Sequence, residues 1–234
     1  MPIKMAGDSP LVNIRERVEM QRHIKLVEDQ SPVDREKANK VLQEKMMGMA
    51  NHLTEHNKIP KVTKLELDPA YSIRFSSGNS ASGLYTAEWI KETGELTRSE
   101  LFVGGRRPYL TFAHEMLHKF VATNTDDSIL KNEAFYILAH NAKKHGWKDS
   151  LGRTFEDGAN TEEIIAETFG TYMVGTPDVT LTPQVIEIFD QIGDVQYDKD
   201  GRVIPLHDRL FSENPRKPAP PVKKSFFEKL FELK

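Results

Sequence analysis

The 234-residue sequence contains no cysteine, which excludes disulfide bonds and thiolate metal sites. It also lacks an excess of either charge, because 32 Lys and Arg residues against 35 Asp and Glu residues leave a net charge of −3. A nucleic-acid partner held by bulk charge is therefore not expected. Long apolar runs are absent too, since no stretch of about 18 apolar residues occurs. We expect no transmembrane segment and, from the polar N-terminus, no classical secretory signal.

Histidine is scarce, with 8 residues in the chain, yet two of them lie four apart in the segment His114-Glu115-Met116-Leu117-His118. Apolar residues recur around it at a spacing that predicts a helix, namely Tyr109, Phe112, Ala113, Leu117, Phe120 and Val121. Residues four apart share one helix face, so both imidazoles can point at one metal ion. Glu115, rotated by about 100°, then lies beside the metal, within reach of a metal-bound water. The alternative is an amphipathic helix with solvated histidines and a solvated Glu115.

A second helix, with Asn160 as its N-cap, is predicted to supply a third ligand. Glu163 and Glu167 lie four apart on one face of it. Glu163 is expected to complete a tetrahedral His-His-Glu zinc site, and Glu167 to accept the free ring N–H of a ligand histidine. The alternative is a solvated acidic face, which we expect for Glu162. The helix also carries four apolar residues that need a buried side: Ile164, Ile165, Ala166 and Phe169.

An HExxH segment followed by a Glu-x-x-x-Glu helix resembles the gluzincin type of zinc metallopeptidase. Residues 160–169 resemble the glutamate helix of the anthrax lethal factor and Pro-Pro endopeptidase family, and the 45 residues from His118 to Glu163 (163 − 118) fit that family. The resemblance covers about a quarter of the chain, residues 109–172. It implies three zinc ligands, His114, His118 and Glu163, with Glu115 as general base and Glu167 as support for a ligand histidine. The metzincin pattern is excluded by Val121 and Asn124.

The sequence departs from this family at one position. The family has a Tyr shortly before the ligand Glu that steadies the transition state, whereas here Glu156 stands seven residues before Glu163, with Phe155 beside it. The donor that would stabilise an oxyanion is therefore unassigned. The candidates are Tyr172, Tyr136, His140, His145 and His207.

The chain is 38% hydrophobic and 29% charged, which suits one sizeable core with appendages. We predict an α+β fold: a zincin-like metallopeptidase domain whose small mixed or antiparallel sheet packs on the HExxH helix, plus N-terminal helices. Three segments are expected. They are an N-terminal helical segment at 1–57, the catalytic domain at 58–213, and a Pro-rich linker with an amphipathic tail at 214–234.

Several elements follow from local patterns. Ser31-Pro32 predicts the start of a helix that runs to about His56. Residues 84–90 and 96–103 predict a hairpin, and residues 129–145 a helix. In zincins an edge strand ahead of the HExxH helix pairs with the extended substrate. The resemblance implies that residues 99–103 are that strand.

The C-terminal residues form an apolar helical pattern on a Pro-rich tether, with Phe226, Phe227, Leu230 and Phe231 on one face. The tail is expected either to pack back on its own domain or to dock to a partner or a membrane surface. The pattern leaves these alternatives open.

Taken together, the motif and the resemblance predict a zinc-dependent endopeptidase that hydrolyses a protein or peptide substrate through a metal-bound water activated by Glu115. Two alternatives stay open. One is a regulatory metallopeptidase that cleaves a repressor, and the other is a non-catalytic interaction protein with a structural zinc. The expected location is the cytoplasm, or alternatively delivery as an effector or within a virion, without a classical signal.

Overall fold

The computed structural model describes residues 32–68, 73–74, 80–91, 93–105, 107–123, 132–148, 155, 160–177 and 181–212. The chain divides into two compact units, residues 1–42 and 43–234. In the first unit the described residues are helical, and the second unit contains every strand and the candidate site. Residues 1–31 of the expected N-terminal helical segment and the tail at 214–234 lie outside the described residues. The three predicted segments stay predictions.

Six helices, a three-stranded mixed sheet and a two-stranded antiparallel sheet make up the described part of the chain. The helices are α1 (Pro32–His56), α2 (Pro108–Thr123), α3 (Glu133–Lys144), α4 (Thr161–Met173), α5 (Pro183–Gly193) and α6 (Leu206–Phe211). The strands are β1 (Lys64–Asp68), β2 (Ile73–Arg74), β3 (Ser80–Ala81), β4 (Gly83–Trp89) and β5 (Leu96–Gly104). The mixed α+β class is thereby confirmed. No helix among the described residues has the length and apolar character needed to cross a bilayer.

The main sheet has the strand order β1-β5-β4, with β1 parallel and β4 antiparallel to β5. The hairpin predicted from residues 84–103 is confirmed. The prediction that residues 99–103 form an open edge is wrong, because Glu100 pairs with Lys64 on one side and with Thr86 on the other. Leu101 and Val103 are fully buried, as expected of a central strand. The edge strand of this hairpin is therefore β4.

Helix α2 packs against β4 and β5 on one side and against α4 on another. Ten of its residues are buried, from Leu110 to Val121. Burial of each large apolar side chain contributes about 1.5–3 kcal/mol. Leu110 faces Gly170 of α4 at one end of the helix pair, where a Cβ on Gly170 would lie 3.2 Å from the backbone oxygen of Leu110. His118 faces Glu162 at the other end, so the two helices run antiparallel.

Polar caps set where the helices begin. The Asn160 side chain accepts a hydrogen bond from the backbone N–H of Glu162, so the predicted N-cap of α4 is confirmed. Helix α3 was predicted from residue 129 but begins at Glu133, because the Asn132 side chain accepts from the backbone N–H of Ala134 and so caps the helix there. A capping Asn satisfies an N–H that would otherwise lack a partner in the first turn.

Candidate metal centre

Two histidines of α2 and one glutamate of α4 converge on a single point. His114 and His118 lie one turn apart, and their Nε2 atoms are 3.0 Å from each other. The Glu163 carboxylate spans both, with Oε1 3.4 Å from His114 Nε2 and Oε2 3.4 Å from His118 Nε2. The ligand atoms all lie within 4.8 Å of one another, so the three residues form a candidate metal-binding triad.

The donors of this triad suit zinc. Two imidazole nitrogens and one carboxylate oxygen are a ligand set that zinc commonly takes, with a fourth position left for water or substrate. The His114 and His118 side chains are 12% and 21% exposed, whereas Glu163 is 52% exposed. The triad is thus reached from solvent on the side of Glu163. A His-His-Glu triad of this kind is consistent with a zinc metalloenzyme.

Two further carboxylates contact the outer nitrogens of the imidazoles. Glu167 Oε2 lies 3.3 Å from His114 Nδ1, where the resemblance places a supporting residue. Glu162 Oε1 lies 2.6 Å from His118 Nδ1, so the expectation that Glu162 is a solvated charge is wrong. Glu162 sits in the first turn of α4, which the crossing of the two helices brings over His118. The only signal in the sequence is that two glutamates stand side by side at the helix start.

The carboxylates control the charge of both histidines. Burial lowers the pKa of His114, but Glu163 and Glu167 outweigh burial and raise this pKa to about 10. At His118 burial again lowers the pKa, but hydrogen bonds to Glu162 and Glu163 outweigh burial and raise the pKa to about 9. The imidazoles in turn hold the pKa of Glu163 well below its usual range, against the effect of burial. In the metal-free protein the carboxylates therefore favour the protonated form of each imidazole, and a dication must displace protons to bind.

Glu115 occupies the space between α2 and the edge strand. Its side chain is buried, and its carboxylate accepts a hydrogen bond from the backbone N–H of Tyr85 in β4. Burial raises the pKa of Glu115, although His114 and His118 oppose this. A Cβ on Gly83 would lie only 2.5 Å from Glu115 Oε1, so the strand passes close to the carboxylate because residue 83 is glycine.

Lys119 is a buried charge that sequence reasoning missed. Its side chain is fully buried, its Nζ donates to Ser99 Oγ at 2.8 Å, and it lies 5.7 Å from the centre of the Tyr85 ring. These contacts tie α2 to β5 and β4. Burial lowers the pKa of Lys119 to about 8. Because lysine is rarely buried, its residue type predicts an exposed position rather than an interior one.

Replacing this buried amine is expected to stabilise the protein. Below pH 8 the folded state bears the cost of a buried ammonium, so Lys119→Met should raise the free energy of unfolding at pH 7 by about 1–3 kcal/mol. Between pH 8 and 10.5 the unfolded chain binds more protons, so the stability of the wild type rises with pH and the difference shrinks. Urea unfolding of both proteins from pH 7 to 9.5 measures this difference in the free energy of unfolding. The exposed Lys45→Met is the control, and a Lys119→Met protein less stable at every pH would contradict the argument.

One of the five candidates for an oxyanion donor, Tyr172, has its hydroxyl engaged in another cluster. The Tyr172 hydroxyl donates to Asp190 Oδ1 at 2.6 Å and also contacts the Tyr197 hydroxyl, in a cluster below α5. The other four have different contacts: Tyr136 and His140 stack on each other, the backbone N–H of His145 caps the end of α3, and His207 contacts Tyr109 and Asp208. The oxyanion donor stays unassigned. Glu156, at the position where the family has its Tyr, lies outside the described residues.

Comparison with known proteins adds no relative. No protein-family model matches the chain, no curated protein is significantly similar to it, and no solved structure matches it significantly. The assignment of a possible metal-binding site therefore rests on the triad of His114, His118 and Glu163.

Proposed function

We propose that this protein is a zinc-dependent endopeptidase that hydrolyses a peptide bond in a protein or peptide substrate. The observation that carries the proposal is the convergence of two imidazole Nε2 atoms and a carboxylate beside a separate buried carboxylate. His114, His118 and Glu163 would hold the ion, with Glu167 supporting His114. When bound, zinc would acidify a water molecule and polarise the carbonyl under attack.

Glu115 performs the proton transfers in this proposal. Its carboxylate takes a proton from the attacking water and passes it to the departing amine. Burial raises its pKa, which makes the carboxylate a stronger base than a solvated glutamate. The hydrogen bond from the Tyr85 N–H fixes the orientation of the carboxylate and helps to keep it ionised.

The substrate backbone is proposed to lie along β4 rather than β5. Strand β5 is paired on both sides, whereas β4 is paired with β5 alone within the main sheet. The Tyr85 N–H points at Glu115, so the free side of β4 borders the base. An extended peptide that adds to this edge would carry its carbonyl past the triad.

A purely structural zinc is the less favoured alternative. Structural zinc sites are closed by four protein ligands. Among the described residues the triad supplies three, and its Glu163 is half exposed. The ordered Glu115 beside the triad also has no role in a site that only joins two helices.

Cleavage of a peptide library by the full chain, with and without a chelator, tests the proposed function. The zinc-loaded protein is expected to cut a restricted set of sequences. Chelation should abolish this activity, and added zinc should restore it. A protein that binds one zinc ion but cleaves no library member or unfolded protein would refute the proposal, as would full activity in protein shown to be free of metal.

A further inference from the structure

We infer that Glu162 is a positioning residue for the metal centre, one that holds His118 with its Nε2 turned toward the ion. The inference rests on the proposed zinc site and extends it to a residue outside the triad. Glu162 Oε1 lies 2.6 Å from His118 Nδ1, which is the shortest contact between a carboxylate and either imidazole.

The two nitrogens of His118 face different partners. Nε2 lies 3.0 Å from His114 Nε2 and 3.4 Å from Glu163, whereas Nδ1 contacts Glu162 on the other side of the ring. A neutral imidazole carries one proton, and a metal ligand must present the bare nitrogen. Because a carboxylate accepts and cannot donate, Glu162 keeps the proton on Nδ1 and leaves Nε2 free to bind an ion.

Partial burial makes this contact more effective than one on the surface. The side chains of Glu162 and His118 are 25% and 21% exposed. Water therefore screens the pair less than it screens an open ion pair. The negative charge of the Glu162 carboxylate also adds to the electrostatic field that attracts a dication.

The start of α4 explains how two adjacent glutamates come to serve different nitrogens. Asn160 accepts from the backbone N–H of Glu162 and so fixes the first turn of the helix over α2. From there the Glu163 carboxylate reaches both Nε2 atoms, while the Glu162 carboxylate reaches the opposite side of His118. With Glu167 on His114, each imidazole has its own outer carboxylate.

The zinc affinity of the full chain tests the inference, measured by competition with a chromophoric chelator at a single pH. Glu162→Ala is expected to weaken zinc binding about 10–100-fold, and the conservative Glu162→Gln, which can still accept the N–H, should recover part of the loss. Glu133→Ala is the matched control, because it removes an exposed first-turn glutamate from α3, a helix that carries no residue of the triad. It should bind zinc as the wild type does.

Two further readouts separate positioning from a structural effect. The metal-free Glu162→Ala and Glu133→Ala proteins should both keep the far-UV circular dichroism spectrum of the wild type, and the visible spectrum of the cobalt-loaded protein should change for Glu162→Ala alone. Equal zinc affinity in wild type and Glu162→Ala would overturn the inference while the proposed function stands. A wild type that binds no zinc would overturn both.

Discussion

Glu115→Gln is expected to remove peptide-bond hydrolysis while the protein keeps its fold and its zinc. The amide cannot take a proton from water, and general-base catalysis typically contributes 10²–10⁴-fold, so kcat/KM should fall by about 10²–10⁴-fold. The substitution is nearly isosteric, and the Gln oxygen can still accept from the Tyr85 N–H. A neutral amide is also cheaper to bury than a carboxylate. Stability should therefore be unchanged or slightly higher.

Initial rates on a substrate selected from the library, together with zinc stoichiometry and thermal unfolding, measure these effects. The control is Glu44→Gln, a glutamate exposed on α1, which should behave as the wild type does. Wild-type activity in a zinc-loaded Glu115→Gln protein would refute the assigned role of Glu115. Loss of zinc together with activity would instead place Glu115 among the groups that hold the ion.

Gly83→Ala is expected to damage catalysis by a different route, through the position of the base. The added Cβ would lie 2.5 Å from Glu115 Oε1 and 2.5 Å from Thr111 Cγ2. The Glu115 carboxylate can rotate to relieve the first contact, but it then loses its hydrogen bond from the Tyr85 N–H. The methyl group of buried Thr111 has less room to move, so β4 and α2 are expected to separate. Overpacking of this kind costs about 1–3 kcal/mol, and a displacement of about 1 Å at a catalytic group can cost 10²-fold in rate.

We therefore expect kcat/KM of Gly83→Ala to fall about 10²-fold while zinc binding is retained, because the triad lies on a different side of α2. Steady-state kinetics and urea unfolding give the two effects separately. Gly48→Ala is the matched control, since a Cβ there meets no atom within 4 Å and should stabilise α1 by up to about 1 kcal/mol. Full activity and unchanged stability in Gly83→Ala would show that the strand does not constrain Glu115.

The parts of the site that lie within single helices could be predicted from the sequence. The four-residue spacing of His114 and His118 sets both on one face, and the Asn160 cap fixes the first turn of α4. Such features depend on local geometry, which periodicity and capping residues encode directly. The grouping of Glu163 with the two histidines could be anticipated because a ligand pair needs a third donor.

The misassigned parts depend on how separate elements meet. Alternating residues identified β5 as a strand, but its place at the centre of the sheet depends on parallel pairing with β1, some 36 residues earlier. Whether Glu162 faces solvent or His118 depends on the angle at which α4 crosses α2. Lys119 is buried because the sheet covers that face of α2. Strand pairing, helix crossing angles and the covering of a helix face by a sheet are tertiary properties, and a single sequence contains little information about them.

The close approach of α2 and α4 has a consequence for the ion. At Gly170 the absence of a side chain lets the two helices touch through backbone, with Leu110 on the other side. Glu163 lies on the same face of α4, two turns earlier. The spacing of the two helices at this contact is thus limited by the main chain of Leu110, and a side chain at residue 170 would press the helices apart. Residue 170 therefore acts on the pair of helices that carries the imidazoles and the Glu163 carboxylate, although it offers no ligand atom itself.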